Sequence, residues 1–283
     1  MSLTHLLGDG WLWFALLVWI ALSVGSFLNV VIYRLPVMMK REWRAQATEV
    51  LELNAPAPTG PPFNLMVPRS RCSSCETTIS ARHNIPLLSW LLLRGRCANC
   101  DVKISARYPL IELLTAVASI FVLAAYGYTW LGLAGLAFTW AVIALTFIDL
   151  DTKLLPDQIT LPLLWLGLIV NVLGGFTDLT SAVIGAVVGY LVLWSIYWAF
   201  KLITGKEGMG YGDFKLLAAM GGWFGWQTLP MLVLISSMVG ILLGGTFLLL
   251  RRSREAIPFG PYLAIAGWVT LLEHDRVIAV VFG

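Results

Sequence analysis

Apolar residues in this chain do not alternate with polar ones; they come in long blocks separated by short polar breaks. The first block covers roughly 11–33, a polar stretch runs from about 34 to 107, and the remainder is nearly continuously apolar. Such blocks predict helices that are apolar all round, the form a chain takes in lipid, where the backbone must satisfy its own N–H and C=O groups. Breaking the second part where polar and turn residues cluster predicts further spans over about 109–126, 131–148, 157–173, 180–200, 214–226, 229–250 and 258–272. The segment 214–226 is the shortest. The expectation is an all-α polytopic membrane protein of about eight transmembrane helices. It divides into an anchor helix at 1–33, a cytoplasmic loop domain at 34–107 and a seven-helix membrane domain at 108–283.

Composition strengthens this picture. Of 283 residues, 58% are apolar and 12% charged, with mean hydropathy +0.81, whereas a soluble domain carries roughly 25% charge. A water-soluble globule, a disordered chain and a disulfide-stapled secreted fold are excluded. Thirteen Trp, thirteen Phe and eight Tyr suit aromatic belts at the membrane faces.

The net charge of +3 matters less than where the charges lie. With the N-terminus outside, the inside loops hold Arg34 through Arg107, then Lys153, then Lys201, Lys206 and Lys215, then Arg251, Arg252 and Arg254. Only Arg276 of the nineteen basic residues falls outside. A missed or invented span would scatter these residues over both faces, so the positive-inside rule supports both count and orientation. Before the first span stand only His5 and Asp9, which makes that span an N-outside anchor rather than a cleaved signal peptide.

All four cysteines lie in the inside loop, as Cys72-Ser-Ser-Cys75 and Cys97-Ala-Asn-Cys100. Two C-x2-C knuckles with this separation match a four-thiolate zinc site. The competing reading, two redox or free pairs, fits reduced cytosolic thiols less well. A closed four-cysteine site leaves no open position for chemistry, so the zinc is expected to be structural. Arg69, Arg71, Arg94 and Arg96 beside the knuckles suit an anionic membrane surface, and no nucleic-acid partner is expected.

Carboxylates gather at the inner membrane edge. Asp149, Asp151 and Asp157 lie between the third and fourth spans, and Asp213 closes Gly210-Tyr211-Gly212-Asp213 before the sixth. Ionisable residues against so apolar a background mark functional sites. Asp157 follows Pro156 and precedes a helical run, which reads as an N-cap. Asp151, beside Lys153, reads equally as a solvated loop residue. Asp149 abuts the hydrocarbon run, and the glycines before Asp213 permit close backbone approach. Two carboxylates from different helices suggest aspartic protease chemistry, with one proton shared between them. Helix dipoles favour an ionised Asp213 at a helix start and a protonated Asp149 at a helix end. Since the two titrate as a unit, that assignment describes one microstate.

The Gly-x-Gly-Asp element at Gly210 to Asp213, the Asp-x-Asp-x4-Pro-Asp element at Asp149 to Asp157 and the tetracysteine loop together resemble the bacterial type IV prepilin peptidases. Gly25-Ser26-Phe27-Leu28-Asn29-Val30-Val31, Arg34-Leu35-Pro36, Lys206-Glu207-Gly208-Met209 and Pro258-Phe259-Gly260-Pro261-Tyr262 match as well, so the resemblance spans essentially the whole chain. It implies an inner-membrane enzyme that cleaves the basic leader of type IV prepilins and type II secretion pseudopilins after a glycine. It further implies methylation of the new N-terminal amine, usually on Phe, from S-adenosylmethionine. The family's catalytic aspartates map onto Asp149 and Asp213, on the cytoplasmic face.

No G-x-G-x-x-G turn follows a strand pattern, so the residues that hold the methyl donor stay unassigned. Glu42, Glu52 and the Gly95 turn are candidates with ordinary explanations as solvated or turn residues. Gly185 with Gly189, and Gly240 with Gly244, form G-x-x-x-G patterns that predict close helix packing. A rival reading, an ion-coupled transporter with a regulatory zinc ribbon, predicts internal pseudo-repeats, and the surroundings of Asp149 and Asp213 are unlike each other. A scaffold of the secretion machinery, the other rival, gives no reason for paired aspartates.

Overall fold

The computed structural model describes residues 11–52, 62–246 and 258–282. His5 and Asp9, the end of the span expected at 229–250, and Arg251, Arg252 and Arg254 lie outside the described residues. The described chain is helical, and its only strand-like features are two isolated bridges, Arg71 with Thr78 and Arg96 with Lys103. It divides into two compact units, residues 1–120 and 121–283.

In the first unit, α1 (Trp11–Val50) runs 40 residues without interruption, with Pro36 inside it. The expected end near residue 33 rested on the first charge, Arg34. A charge marks the edge of hydrocarbon, not the end of a helix, and the Lys, Arg, Glu and Ala residues beyond it are good helix formers. Arg34 is buried, donating to the carbonyls of Asn64 (2.9 Å) and Pro68 (2.6 Å). The short α2 (Leu88–Leu92) lies between the two cysteine pairs, and α3 begins at Arg107 and ends at Tyr126. Gly25 on α1 lets the backbones meet, since a Cβ there would lie 2.7 Å from Glu112 Cα.

The second unit holds α4 (Trp130–Thr152), α5 (Asp157–Val172), α6 (Leu179–Thr204), α7 (Tyr211–Phe224), α8 (Leu229–Val239), α9 (Gly260–Leu272) and α10 (His274–Phe282). A π-turn, Gly240–Gly245, continues α8. Each expected span thus overlaps a helix, the one at 229–250 as far as the described residues reach. Among the described residues, five helical segments are long and apolar enough to cross a membrane: α1, α3, α4, α6 and the run Trp226–Gly245. The apolar α5 and α9 are shorter. The C-terminal α10 was not expected from the apolar pattern.

Local chemistry sets these boundaries. Thr129 caps α4 by accepting from the Gly132 N–H, and Asp178 caps α6 through Ser181 at 2.9 Å. Hydrogen bonding from the Ser181 hydroxyl, and then from its N–H, holds the Asp178 carboxyl below its ordinary range. The helix α7 is the core of the unit, buried from Leu216 to Phe224. Gly185 and Gly189 of α6 carry it there: Gly185 and Gly221 face each other backbone to backbone, and a Cβ on Gly189 would lie 2.8 Å from Leu217 O. The other G-x-x-x-G pattern falls in the π-turn instead, where Gly240 faces the Tyr262 ring.

One buried amide ties the far ends of α5 and α7. Asn171 Nδ2 donates to the Gly222 and Trp223 carbonyls, both at 2.9 Å, while its Oδ1 accepts from the Phe176 (2.8 Å) and Thr177 (3.1 Å) N–H groups. Trp223 Nε1 donates to Leu163 O at 2.7 Å, with its ring seated on Gly167. Buried polar groups with every partner supplied fix one packing of apolar helices that would otherwise slide.

Candidate active site and metal centre

Asp149 lies one turn before the end of α4. Lys153 terminates that helix in the left-handed region (φ 56°), its N–H donating to Asp149 O at 2.8 Å. The Asp149 side chain is therefore presented by a helix end, and only 4% of the residue is exposed. Its Oδ2 is buried and has no hydrogen-bond partner among the described residues. A buried polar atom left in this state points to a functional group awaiting a partner.

Asp213 sits in the first turn of α7 and is 6% exposed. Its Oδ2 accepts from the Gly210 N–H, and its own N–H donates to Gly210 O, both at 3.2 Å. This reciprocal pair closes the helix start.

Leu155, in the turn between α4 and α5, joins the two neighbourhoods. A Cβ on Gly212 would lie 2.7 Å from Leu155 Cβ, and one on Gly260 would lie 3.1 Å from both its δ carbons and 2.5 Å from Asp149 Oδ2. Gly212 thus makes the close approach that the glycines before Asp213 suggested. The two carboxylates, from α4 and α7, lie within electrostatic reach of one another.

The other acidic residues are placed elsewhere. Asp151 is exposed on the last turn of α4. Asp157 is not the N-cap expected: Pro156 takes that position, its carbonyl accepting from Ile159 and Thr160, and Asp157 is the first helical residue. Proline suits a helix start because it has no N–H to leave unsatisfied. The freed Asp157 carboxylate pairs with Lys215. Glu42 and Glu52 are exposed. Gly260 enters the sequence reading only as part of the matching stretch Pro258 to Tyr262, with no role of its own, and nothing in the sequence marks Leu155.

The cysteine loop is built twice. Cys72 N donates to Thr77 O at 3.0 Å and Cys97 N to Val102 O at 2.9 Å; Ile79 N donates to Ser70 O and Ile104 N to Gly95 O, both at 2.8 Å. Glu76 (φ 54°) and Asp101 (φ 59°) each turn the chain directly after the second cysteine of their knuckle. The four Sγ atoms lie within 4.8 Å of one another. Backbone N–H groups of Ser74 and Asn99 point at Cys72 (3.5 Å) and Cys97 (3.4 Å). The donor set therefore fits one tetrahedrally held metal ion.

Behind the loop, Leu87 N donates to Glu112 Oε2 at 2.7 Å and Trp90 Nε1 to Ile104 O at 3.2 Å. Glu112 was passed over in the sequence because one acid in an apolar run gives no sign of which loop it reaches.

Residues 19–126 match the bacterial peptidase A24 N-terminal domain, and residues 136–245 match the type IV leader peptidase family. The chain is 58% identical over 279 residues to a prepilin leader peptidase/N-methyltransferase of Aeromonas hydrophila, covering 98% of this chain and 96% of that protein. The chain belongs to the type IV leader peptidase family. Other members of that name are the proteins of Pseudomonas aeruginosa, 52% identical over 260 residues (91% and 89% of the two chains), and of Neisseria gonorrhoeae, 52% identical over 258 residues (91% and 90%). No solved structure matches significantly. The resemblance drawn from the motifs is thereby borne out, and this member of the family is a membrane protein with a cysteine cluster able to hold a metal ion.

Proposed function

We propose that the protein cleaves the basic leader of type IV prepilins and type II secretion pseudopilins and then methylates the new N-terminal amine, with Asp149 and Asp213 as the catalytic pair. The observation that carries this reading is the pair itself: two buried carboxylates on different helices, within electrostatic reach, one with an unpartnered oxygen. Like charges so placed hold one proton between them. The ionised member removes a proton from water as it attacks the scissile carbonyl, the protonated member donates to the carbonyl oxygen, and collapse breaks the C–N bond as the amine takes up a proton. Asp213, at the start of α7, suits the ionised role, and Asp149, near the end of α4, the protonated one.

Zinc is the metal best suited to the four thiolates, which leave no open position, so its role is to hold the loop. S-adenosylmethionine supplies the methyl group. The distribution of Lys and Arg supports an inner-membrane protein with a periplasmic N-terminus and with the zinc loop and aspartates on the cytoplasmic side, where a basic leader remains while its apolar helix lies in the bilayer. Lipid and prepilin are the partners. The transporter reading gains no support from relatives named as peptidases and methyltransferases.

Purified protein in detergent, given a synthetic prepilin peptide and the methyl donor, is expected to release the leader and then methylate the shortened product. The absence of both events in a folded, zinc-loaded sample would overturn the proposal.

A further inference from the structure

Gly260 opens α9, and its backbone does not need glycine. Its φ is outside the left-handed region, unlike Gly95 (φ 67°) or Gly225 (φ 83°), and helical positions favour alanine over glycine. What glycine provides there is the absence of a side chain. A methyl group at 260 would meet Asp149 Oδ2 first, at 2.5 Å, and the two δ carbons of Leu155 next, each at 3.1 Å. Contacts under 3.0 Å force something to move, and the carboxylate is the end of a side chain able to rotate. That same Oδ2 is buried and unpartnered, beside the start of a helix of 13 residues whose dipole favours negative charge.

We propose that Gly260 is a positioning residue for leader cleavage: by carrying no side chain it leaves the Asp149 carboxylate in place, within electrostatic reach of Asp213, and keeps Oδ2 free to meet the substrate. This rests on Asp149 and Asp213 being the cleaving pair. A side chain at 260 rotates the Asp149 carboxylate out of register, and the cost falls on the chemical step rather than on prepilin binding, because the displaced atom acts on the scissile bond. Leu155 supplies the competing explanation, in which glycine is needed only so that this leucine can pack.

The test uses the full-length enzyme and three variants, Gly260→Ala, Leu155→Ala and the double variant. Cleavage of a prepilin is measured as kcat and KM, and methylation is measured on a pre-cleaved pilin peptide. Gly260→Ala is expected to lower kcat by roughly tenfold to 100-fold, the scale of a misplaced catalytic group, with KM nearly unchanged and methylation retained. Adding Leu155→Ala removes the leucine contact but not the carboxylate contact, so the loss should persist. Normal kcat in Gly260→Ala, rescue by Leu155→Ala, or parallel loss of methylation each overturns the proposal. Asp149→Asn, assayed alongside, separates the two levels: normal cleavage there would sink the catalytic pair itself, whereas its inactivity beside an unimpaired Gly260→Ala would sink only the role of Gly260.

Discussion

Lys215 holds Asp157 by both carboxylate oxygens, each 2.7 Å from its ammonium nitrogen. Asp157 is the first residue of α5, and Lys215 lies two residues beyond Asp213 on α7. The pair therefore fastens the start of α5 to the helix that carries one of the proposed catalytic aspartates. The side chains are 50% and 29% exposed, and ion pairs so open to solvent contribute about 1 kcal/mol or less. Asp157→Asn and Lys215→Ala should each lower thermal stability in detergent by that amount and reduce cleavage less than about tenfold. The double variant should be no worse than either single one. Loss of all cleavage in Asp157→Asn would give this residue a direct part in the reaction.

The aspartates should behave quite differently. Asp149→Asn and Asp213→Asn each leave an amide that cannot share a proton, so each should abolish cleavage while the protein still inserts and unfolds cooperatively. Cleavage by purified variants checks this, and full activity in either removes that residue from the pair.

The cysteine cluster makes a separate prediction about metal. One zinc per chain should be found by elemental analysis. Cys72→Ser or Cys97→Ser should abolish binding and expose the 70–104 region to protease, since the metal supplies folding energy to a loop with little core of its own. Cleavage should survive in part, as Asp149 and Asp213 lie outside the loop. Carefully purified protein without zinc would refute the assignment.

Much of this was legible from residue types because lipid is an undemanding solvent to read: apolar runs gave every expected span, and Cys72, Cys75, Cys97 and Cys100 declared themselves by spacing. Three features were not. The helix α1 runs on to Val50 because charge and helix end are different boundaries. Asp157 looked like a cap because acids usually take that place, yet Pro156 takes it and a lysine 58 residues away claims the acid. Gly260 and Leu155 matter through contacts between segments distant in sequence, which periodicity along one helix cannot carry. Gly95 shows the opposite: its ordinary explanation as a turn residue beside a cysteine knuckle is visible in the sequence, and its φ is 67°.

That glycine allows the two activities to be separated in order and in place. Methylation needs a free amine, which exists only after the leader is cut. An Asp213→Asn enzyme should therefore fail to methylate a full-length prepilin yet still methylate a pre-cleaved pilin peptide. Gly95→Val should do the reverse. A Cβ at 95 would lie 2.8 Å from the Trp90 ring, and a β-branched residue held at positive φ costs about 1–2 kcal/mol. The strain falls where Gly95 O receives the Ile104 N–H and Trp90 reaches Ile104 O, so it loosens the second knuckle, and neither Gly95 nor Trp90 belongs to α4 or α7. Methylation should drop more than cleavage. Assaying both reactions on both variants decides it: equal loss of the two activities in Gly95→Val would mean that the loop supports the whole enzyme rather than the transfer of the methyl group.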